Sequence, residues 1–340
     1  MEDKIKFAVV GSGHIGLRHA EMIKRNDEAQ LVAMCDLDVG KEDAVRELGV
    51  QFYTSIEELL NNETDVDVLS ICTPNGLHAQ HALLSLEQKK HIVCEKPMAL
   101  TKSDCEKIIF KALQVHKNVF CVMQNRYSAP SVWLKQIVEQ GIIGDIFMVQ
   151  LVCYWNRDDR YYKKGNWKGT LDLDGGTLFT QFSHFIDIMY WVFGDIDDIN
   201  ANFEDFNHNH STSFEDSGVV SFKFVNGGMG SLNYSTSIYD KNMESSITVI
   251  GSNGSIKIGG QYMNKVEYCH IKDYDMPDLP EAGVANDYGA YKGSAANHHF
   301  IIENVIDTIK GRTSITTNAL EGLKVVDIIE RIYSKRNIKK

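Results

Sequence analysis

The stretch that most constrains the fold is IKFAVVGSGHIG, residues 5–16. A short, mostly apolar run leads straight into Gly11-Ser12-Gly13-His14-Ile15-Gly16, and a helical pattern follows at residues 15–24. A strand that enters a glycine-rich turn and leaves as a helix aims unpaired backbone N–H groups at one spot, where they attract a pyrophosphate. The same rhythm continues downstream. Strands are predicted at 31–35, 66–72, 91–94 and 119–123, and helices at 41–48, 56–60, 77–86 and 101–115. Thr54-Ser55-Ile56-Glu57 reads as a capping box for the helix at 56–60. Strands that are apolar throughout argue for a parallel sheet covered on both faces. The fold class predicted is α/β, with a Rossmann dinucleotide-binding domain over residues 1–123.

After residue 125 the rhythm changes. A helix is predicted at 131–140, then alternation through Ile146, Met148, Gln150, Val152 and Tyr154. Further strands are predicted at 219–225, 229–235, 246–250 and 255–258, separated by NGG, GSNG and GG turns. Helical patterns at 296–309 and 319–333 close the chain. Residues 124–340 are therefore expected to form an α+β domain with a large, mainly antiparallel sheet, serving substrate binding and oligomerisation. Its C-terminal helices are also free to pack back on the first domain. A sheet with one bare face is an aggregation liability, so a homo-oligomer, dimer or tetramer, is expected.

Composition narrows the partners. The net charge is −11 over 340 residues, which disfavours nucleic acid and anionic membranes as general partners. No apolar run approaches the roughly 20 residues of a membrane span, and the N-terminus reads as a strand entering a turn rather than a signal peptide. Seven scattered cysteines without a CxxC pair suit reduced thiols in a cytoplasmic protein. No metal site is expected, because His208, His210 and His299 have no carboxylate or cysteine at a matching spacing.

Asp36 ends the second predicted strand, about 25 residues beyond the glycine turn, near the spacing of a ribose-binding acid. Its carboxylate would accept hydrogen bonds from the adenosine ribose and repel a 2′-phosphate, which favours NAD over NADP. Thr73-Pro74-Asn75 and Glu95-Lys96-Pro97 follow two further strands, at the sheet edge where ligands of open α/β sheets collect. With Gly11, Gly13, His14, Ile15 and Gly16, the expected cofactor-binding set is Asp36, Thr73, Pro74, Asn75, His78, Glu95, Lys96 and Gln124.

The second informative segment is GGTLFTQFSHFID, residues 175–187. Read as a helix, it puts Thr180 and His184 at i,i+4 and Gln181 and His184 at i,i+3, on one face. A histidine on such a face, with a lysine from a sheet edge, suits acid–base chemistry on a carbon that gives up hydride. Either Lys96 or His184 serves as the proton acceptor on this reading. An anion-binding role is expected for a basic, aromatic loop at 156–168, which holds Arg157, Arg160, Lys163, Lys164 and Lys168 among Tyr161, Tyr162 and Trp167.

With GSGHIG, CEKP and the GG…H…D segment, the chain resembles the Gfo/Idh/MocA family of glucose–fructose oxidoreductase and inositol dehydrogenase relatives. The resemblance implies that Lys96 contacts the reacting hydroxyl and that His184 is its acid–base partner. Many members carry Asp one helical turn before the histidine; Thr180 stands there in this chain. With QNRY at 124–127, YWNR at 154–157 and NWKGT at 166–170, the resemblance narrows to WlbA-type UDP-N-acetylglucosaminuronate 3-dehydrogenases of O-antigen and related surface-polysaccharide pathways. That implies oxidation of the C3 hydroxyl of a UDP-linked uronic acid, with hydride passing to NAD and, in some relatives, on to 2-oxoglutarate. Substrate contacts are then expected from Lys96, Arg126, Arg157, Thr180, Gln181, His184, Asn297 and His298. Two other readings stay open: a free-sugar or inositol dehydrogenase of the same family, and a non-catalytic NAD-sensing regulator.

Overall fold

The computed structural model describes residues 4–163, 165–281, 283, 285–287, 289 and 291–336. Lys164 of the basic loop lies outside the described residues. The chain divides into two compact units, Met1–Met123 with His298–Val326, and Gln124–Asn297 with Asp327–Lys340.

The first unit is built on β1 (Ile5–Val10), β2 (Ala29–Cys35), β3 (Gln51–Tyr53), β4 (Val68–Ile71), β5 (His91–Cys94) and β6 (Val119–Cys121). Between them run α1 (His14–Arg25), α2 (Glu42–Arg46), α3 (Ile56–Asn62), α4 (His78–Glu87) and α5 (Lys102–Val115). The strand order is β3-β2-β1-β4-β5-β6, with every pair parallel. Phe7, Ala8, Val9, Val68, Leu69, Ile92 and Val93 are fully buried, as a sheet covered on both faces requires. The order reverses between β1 and β4, and the crevice outside those two strand ends is where such sheets take ligands.

Two local expectations are corrected. The cap of α3 is Ser55, whose Oγ accepts from the Glu58 N–H at 3.1 Å, while Glu58 accepts from the Thr54 N–H at 3.3 Å. The N-cap is therefore Ser55, one residue later than Thr54, and the Glu58 side chain reaches back to Thr54 rather than to the cap. Burial of Ile56, Leu59 and Leu60 fixes that register. The short edge strand β3 was not expected, and its burial is partial along its length.

The second unit contains α6 (Ala129–Glu139), β7 (Ile146–Tyr154), α7 (Ser183–Phe193) and strands β8 (Ile196–Glu204) through β13. The others are β9 (Ser217–Phe224), β10 (Met229–Ser235), β11 (Glu244–Gly251), β12 (Gly254–Gly259) and β13 (Lys265–Ile271). They form one sheet in the order β13-β12-β11-β7-β10-β9-β8, antiparallel except for the β7–β10 pair. β14 (Ala285–Asp287) and β15 (Lys292–Ala295) make a separate small ribbon. Val149, Leu151 and Cys153 of β7 face the core with Val220, Phe222, Leu232, Ile247 and Val249. The alternating set legible in the sequence, from Met148 to Tyr154, lies on the open face instead. β8 and β13 were missed because both are edge strands rich in polar residues.

The chain ends in α8 (His298–Ile309) and α9 (Ala319–Tyr333). α8 belongs to the first unit and packs against α1. Among the described residues no helix is long and apolar enough to cross a membrane. All seven cysteines are free thiols.

Candidate active site

In the first unit the glycine turn is shaped by what a side chain would strike. Gly11 has φ +97°, and a Cβ there would meet the Cys72 carbonyl oxygen at 2.6 Å. A Cβ on Gly16 would lie 1.8 Å from the Gly11 oxygen, so α1 can pack on the turn only with glycine. Gly13 differs, because nothing lies within 4 Å of its Cβ position. That open front is what a cofactor pyrophosphate needs, and His14 and Ile15 begin α1 directly behind it. Asp36 accepts from the Ser12 N–H at 2.7 Å, from Lys41 Nζ at 2.7 Å and from the Asp38 N–H at 3.0 Å. Burial works against the carboxylate, but these hydrogen bonds prevail and hold it below the usual range. Ser12 Oγ is buried without a hydrogen-bond partner among the described residues. The open glycine, the ionised acid and the orphaned hydroxyl suit a dinucleotide.

The end of β5 is clamped on both sides of Lys96. Glu95 is buried; its Oε1 accepts from His19 Nε2 at 2.9 Å, and its Oε2 from the Lys96 N–H at 3.2 Å. His19 is held in turn by Ser70 Oγ at 2.6 Å from Nδ1. Burial opposes the Glu95 charge, but the His19 hydrogen bond and charge bring the carboxyl down to about 2. On the other side, fully buried His78 spans Pro97 O at 2.7 Å and Thr73 O at 2.8 Å. His78 and Glu95, expected to touch the cofactor, are thus internal braces for the strand ends that carry Thr73, Pro74, Asn75 and Lys96. The Lys96 side chain itself is only partly buried.

His298 also belongs to this unit. It is buried, 3.7 Å from Glu95 Oε1, with burial pulling its pKa down to about 3. Asn297, its neighbour in sequence, falls in the second unit, where its amide donates to Gln124 O at 3.3 Å and Ser128 Oγ at 3.2 Å. Its side chain ties two chain segments together, which differs from the substrate contact expected of it.

In the second unit the GGTLFTQFSHFID segment is not a continuous α-helix. Leu178–Phe182 is a π-helical turn, and α7 begins only at Ser183. Gly176, at φ +125°, makes room for the Tyr333 hydroxyl, which accepts from the Leu178 N–H at 2.8 Å. Thr180, Gln181 and His184 take separate partners. The Thr180 hydroxyl donates to the Asp174 carboxylate. Gln181 accepts from Arg157 Nε at 2.6 Å and donates to Tyr161 Oη at 2.8 Å. His184, buried, has its Nε2 3.3 Å from the Gln124 amide nitrogen.

Asp174 was not foreseen. It lies six residues before Thr180, outside any helical spacing. Besides Thr180 it accepts from the Gly169 N–H at 2.8 Å, and burial pushes its carboxyl up to about 6.

The arginines are corrected as free anion ligands. Arg126 makes a bidentate pair with Asp187, at 2.8 Å and 2.6 Å, with both side chains buried. Arg157 is buried among Trp155, Tyr161 and Tyr291 and donates to Gln181, Asn242 Oδ1 and the backbone oxygens of Asn156 and Lys292. Both arginines hold the protein together rather than offering an open guanidinium. Elsewhere in the loop, Arg160 pairs with Asp158, and Lys163 is exposed. Lys168 Nζ sits 3.9 Å from the Tyr161 ring centre, and burial, then the Arg157 charge, lowers its pKa to about 8.

The expectation that no carboxylate accompanies His208 is also corrected. The β8–β9 hairpin folds Asp216 back on it, with Asp216 Oδ2 3.3 Å from Nδ1, and Asp205 joins the same group. Asp216 is occupied by the Phe206 and Asn207 N–H groups.

Comparison with known proteins agrees with this architecture. Residues 5–123 match the model of the oxidoreductase family with NAD-binding Rossmann fold, and residues 132–257 match the GFO/IDH/MocA C-terminal domain. The WlbA dehydrogenase of Bordetella pertussis, solved with NADH and UDP-GlcNAcA, superposes with a TM-score of 0.88 at 29% identity, over 98% of this chain and 96% of that one. The WlbA dehydrogenase of Chromobacterium violaceum, solved with the same two ligands, gives 0.88 at 31% identity, over 98% and 94%. The inositol 2-dehydrogenase of Salmonella typhimurium is 28% identical over 193 residues, 55% of this chain and 54% of that enzyme. The chain spans about half the length of several curated relatives it matches. It belongs to the Gfo/Idh/MocA family of NAD-dependent oxidoreductases.

Proposed function

We propose that the chain oxidises the C3 hydroxyl of UDP-N-acetylglucosaminuronic acid to the 3-keto sugar. The observation that carries this reading is likeness along nearly the whole chain to two dehydrogenases solved with NADH and UDP-GlcNAcA, at 29% and 31% identity. The place of Thr180, where sugar and inositol dehydrogenases commonly have Asp, supports it. Such a step belongs to the making of surface-polysaccharide sugars, in a cytoplasmic enzyme.

Bound NAD supplies the hydride acceptor; the protein must bind it, take one proton and steady one oxygen. Gly13 and the α1 N-terminus, brought close by the packing of Gly11 and Gly16, would hold the pyrophosphate, and Asp36 would take the adenosine ribose hydroxyls. As the C3 hydrogen leaves with its electron pair, the C3 oxygen gains negative character and its proton must go to a base. We assign that proton to His184, since an imidazole titrates nearer working pH than an ammonium. Lys96 steadies the oxygen as a cation, its backbone fixed by the Glu95 and His78 braces. The products are the ketone, the reduced cofactor and one proton held by the protein.

Similarity to inositol 2-dehydrogenase over about half the chain favours a second reading, oxidation of a free cyclitol. One experiment separates them. The purified protein is assayed for co-purified NAD(H), and absorbance at the nicotinamide band is followed with UDP-N-acetylglucosaminuronate, with and without 2-oxoglutarate, and with myo-inositol. Reduction by the nucleotide sugar alone, reversed by 2-oxoglutarate if the cofactor recycles in place, is the expected result. Reduction by inositol and none by the nucleotide sugar overturns the proposal.

A further inference from the structure

Gln124 opens the 3-10 turn Gln124–Tyr127 and is buried. Its amide nitrogen lies 3.3 Å from His184 Nε2 and 3.1 Å from Ser294 Oγ on β15, and its Oε1 is buried without a hydrogen-bond partner among the described residues. One amide group therefore spans the imidazole and a hydroxyl on a separate strand. With the amide nitrogen toward the ring, Nε2 must be the acceptor, so the neutral imidazole carries its hydrogen on Nδ1. Nε2 has a single lone pair, so a proton delivered there displaces the amide N–H and turns Nε2 from acceptor into donor. A half-turn of the same amide then presents Oε1 to it, and Ser294 can bond either end.

We propose that Gln124 is the positioning residue of His184, holding the ring through an amide that can pair with Nε2 in both protonation states. This rests on the reading of His184 as proton acceptor. A carboxylate in its place would accept from Nε2–H only and would stabilise the imidazolium, keeping the ring protonated, and so unable to take a proton, up to a higher pH. The charged groups around this helix are otherwise engaged. Asp187 pairs with Arg126, Asp174 takes the Thr180 hydroxyl, and Lys135 of α6 pairs with Glu139. The amide thus does the orienting that a carboxylate one turn before the histidine is expected to do in relatives, without fixing the charge state.

The test reads the ring directly. Protein with ¹⁵N-labelled histidine is titrated by NMR, with the His184 signals identified by their loss in His184→Asn. Wild type is expected to show the Nδ1–H tautomer. In Gln124→Glu the His184 midpoint is expected to rise by about one pH unit or more, with the acid limb of kcat/KM moving with it. In Gln124→Met, similar in volume, mixed tautomers and a fall in kcat of about tenfold or more are expected. Circular dichroism and the thermal midpoint establish that each variant is folded. Unchanged His184 shifts and midpoint in both folded variants overturn the inference. Failure of the base assignment looks different: His184→Asn would keep its turnover while the dependence of the ring on Gln124 persisted.

Discussion

Lys96 and Asp174 show how differently two functional residues present themselves. Lys96 is marked by a short local motif, and its braces are short-range consequences of where β5 ends. Replacing it with Met removes the cation and leaves the stem, so turnover should fall by about 10² or more while NAD binding, followed by cofactor fluorescence, stays within a few-fold. Near-normal turnover would contradict its role. Asp174 is marked by nothing local, since its burial and its bonds to the Gly169 N–H and the Thr180 hydroxyl arise only once the segment is folded. Its folded pKa of about 6 lies above the unfolded value of 3.8, because burial disfavours the charge. The folded state therefore binds more protons than the unfolded one between those values. Stability from this group is full below the unfolded pKa and is lost as pH rises through 6. Wild-type urea midpoints should fall from pH 5 to pH 7.5 by more than those of Asp174→Asn; parallel declines would contradict the assignment. Arg126 and Arg157 were misread for a related reason. The partners that neutralise or engage them, Asp187 and Gln181, lie 61 and 24 residues away, and burial of a charge cannot be read from a basic aromatic stretch.

At the scale of elements, the parallel sheet was legible because its strands are apolar on both faces. The edge strands β8 and β13, polar and half-exposed, carried no such signal. The π-turn at Leu178–Phe182 also left no periodic trace, and a regular-helix reading did not reveal that Thr180, Gln181 and His184 take separate partners. The glycine turn gives a paired prediction. Ala at position 16 would drive its Cβ into the Gly11 oxygen, so Gly16→Ala should lower the thermal midpoint and the NAD affinity together. At position 13 an added Cβ meets nothing within 4 Å among the described residues, so Gly13→Ala should keep the thermal midpoint and weaken NAD binding alone. Equal behaviour of the two variants would contradict the distinction between packing glycine and cofactor-facing glycine.

At the scale of the whole molecule, the large sheet leaves an apolar stripe uncovered. Met229 of β10, Met148 of β7 and Ile250 of β11 are direct cross-strand neighbours and all are exposed. We propose that a second copy of the chain covers this face, giving a dimer or a tetramer. Light scattering should show an oligomer that Met148→Lys with Met229→Glu drives to monomer; a monomeric wild type would contradict it. The two sheets and the cofactor were legible from the sequence, whereas the substrate was reached only through family resemblance, because the groups around His184 are assembled from distant segments such as Gln124 and Ser294. In the proposed reaction hydride passes from C3 of the nucleotide sugar to the bound nicotinamide. UDP-N-acetylglucosaminuronate carrying deuterium at C3, mixed with protein and NAD, is expected to give reduced cofactor one mass unit heavier than NADH. Reduced cofactor without the label, or a sugar that keeps its deuterium, would contradict the account.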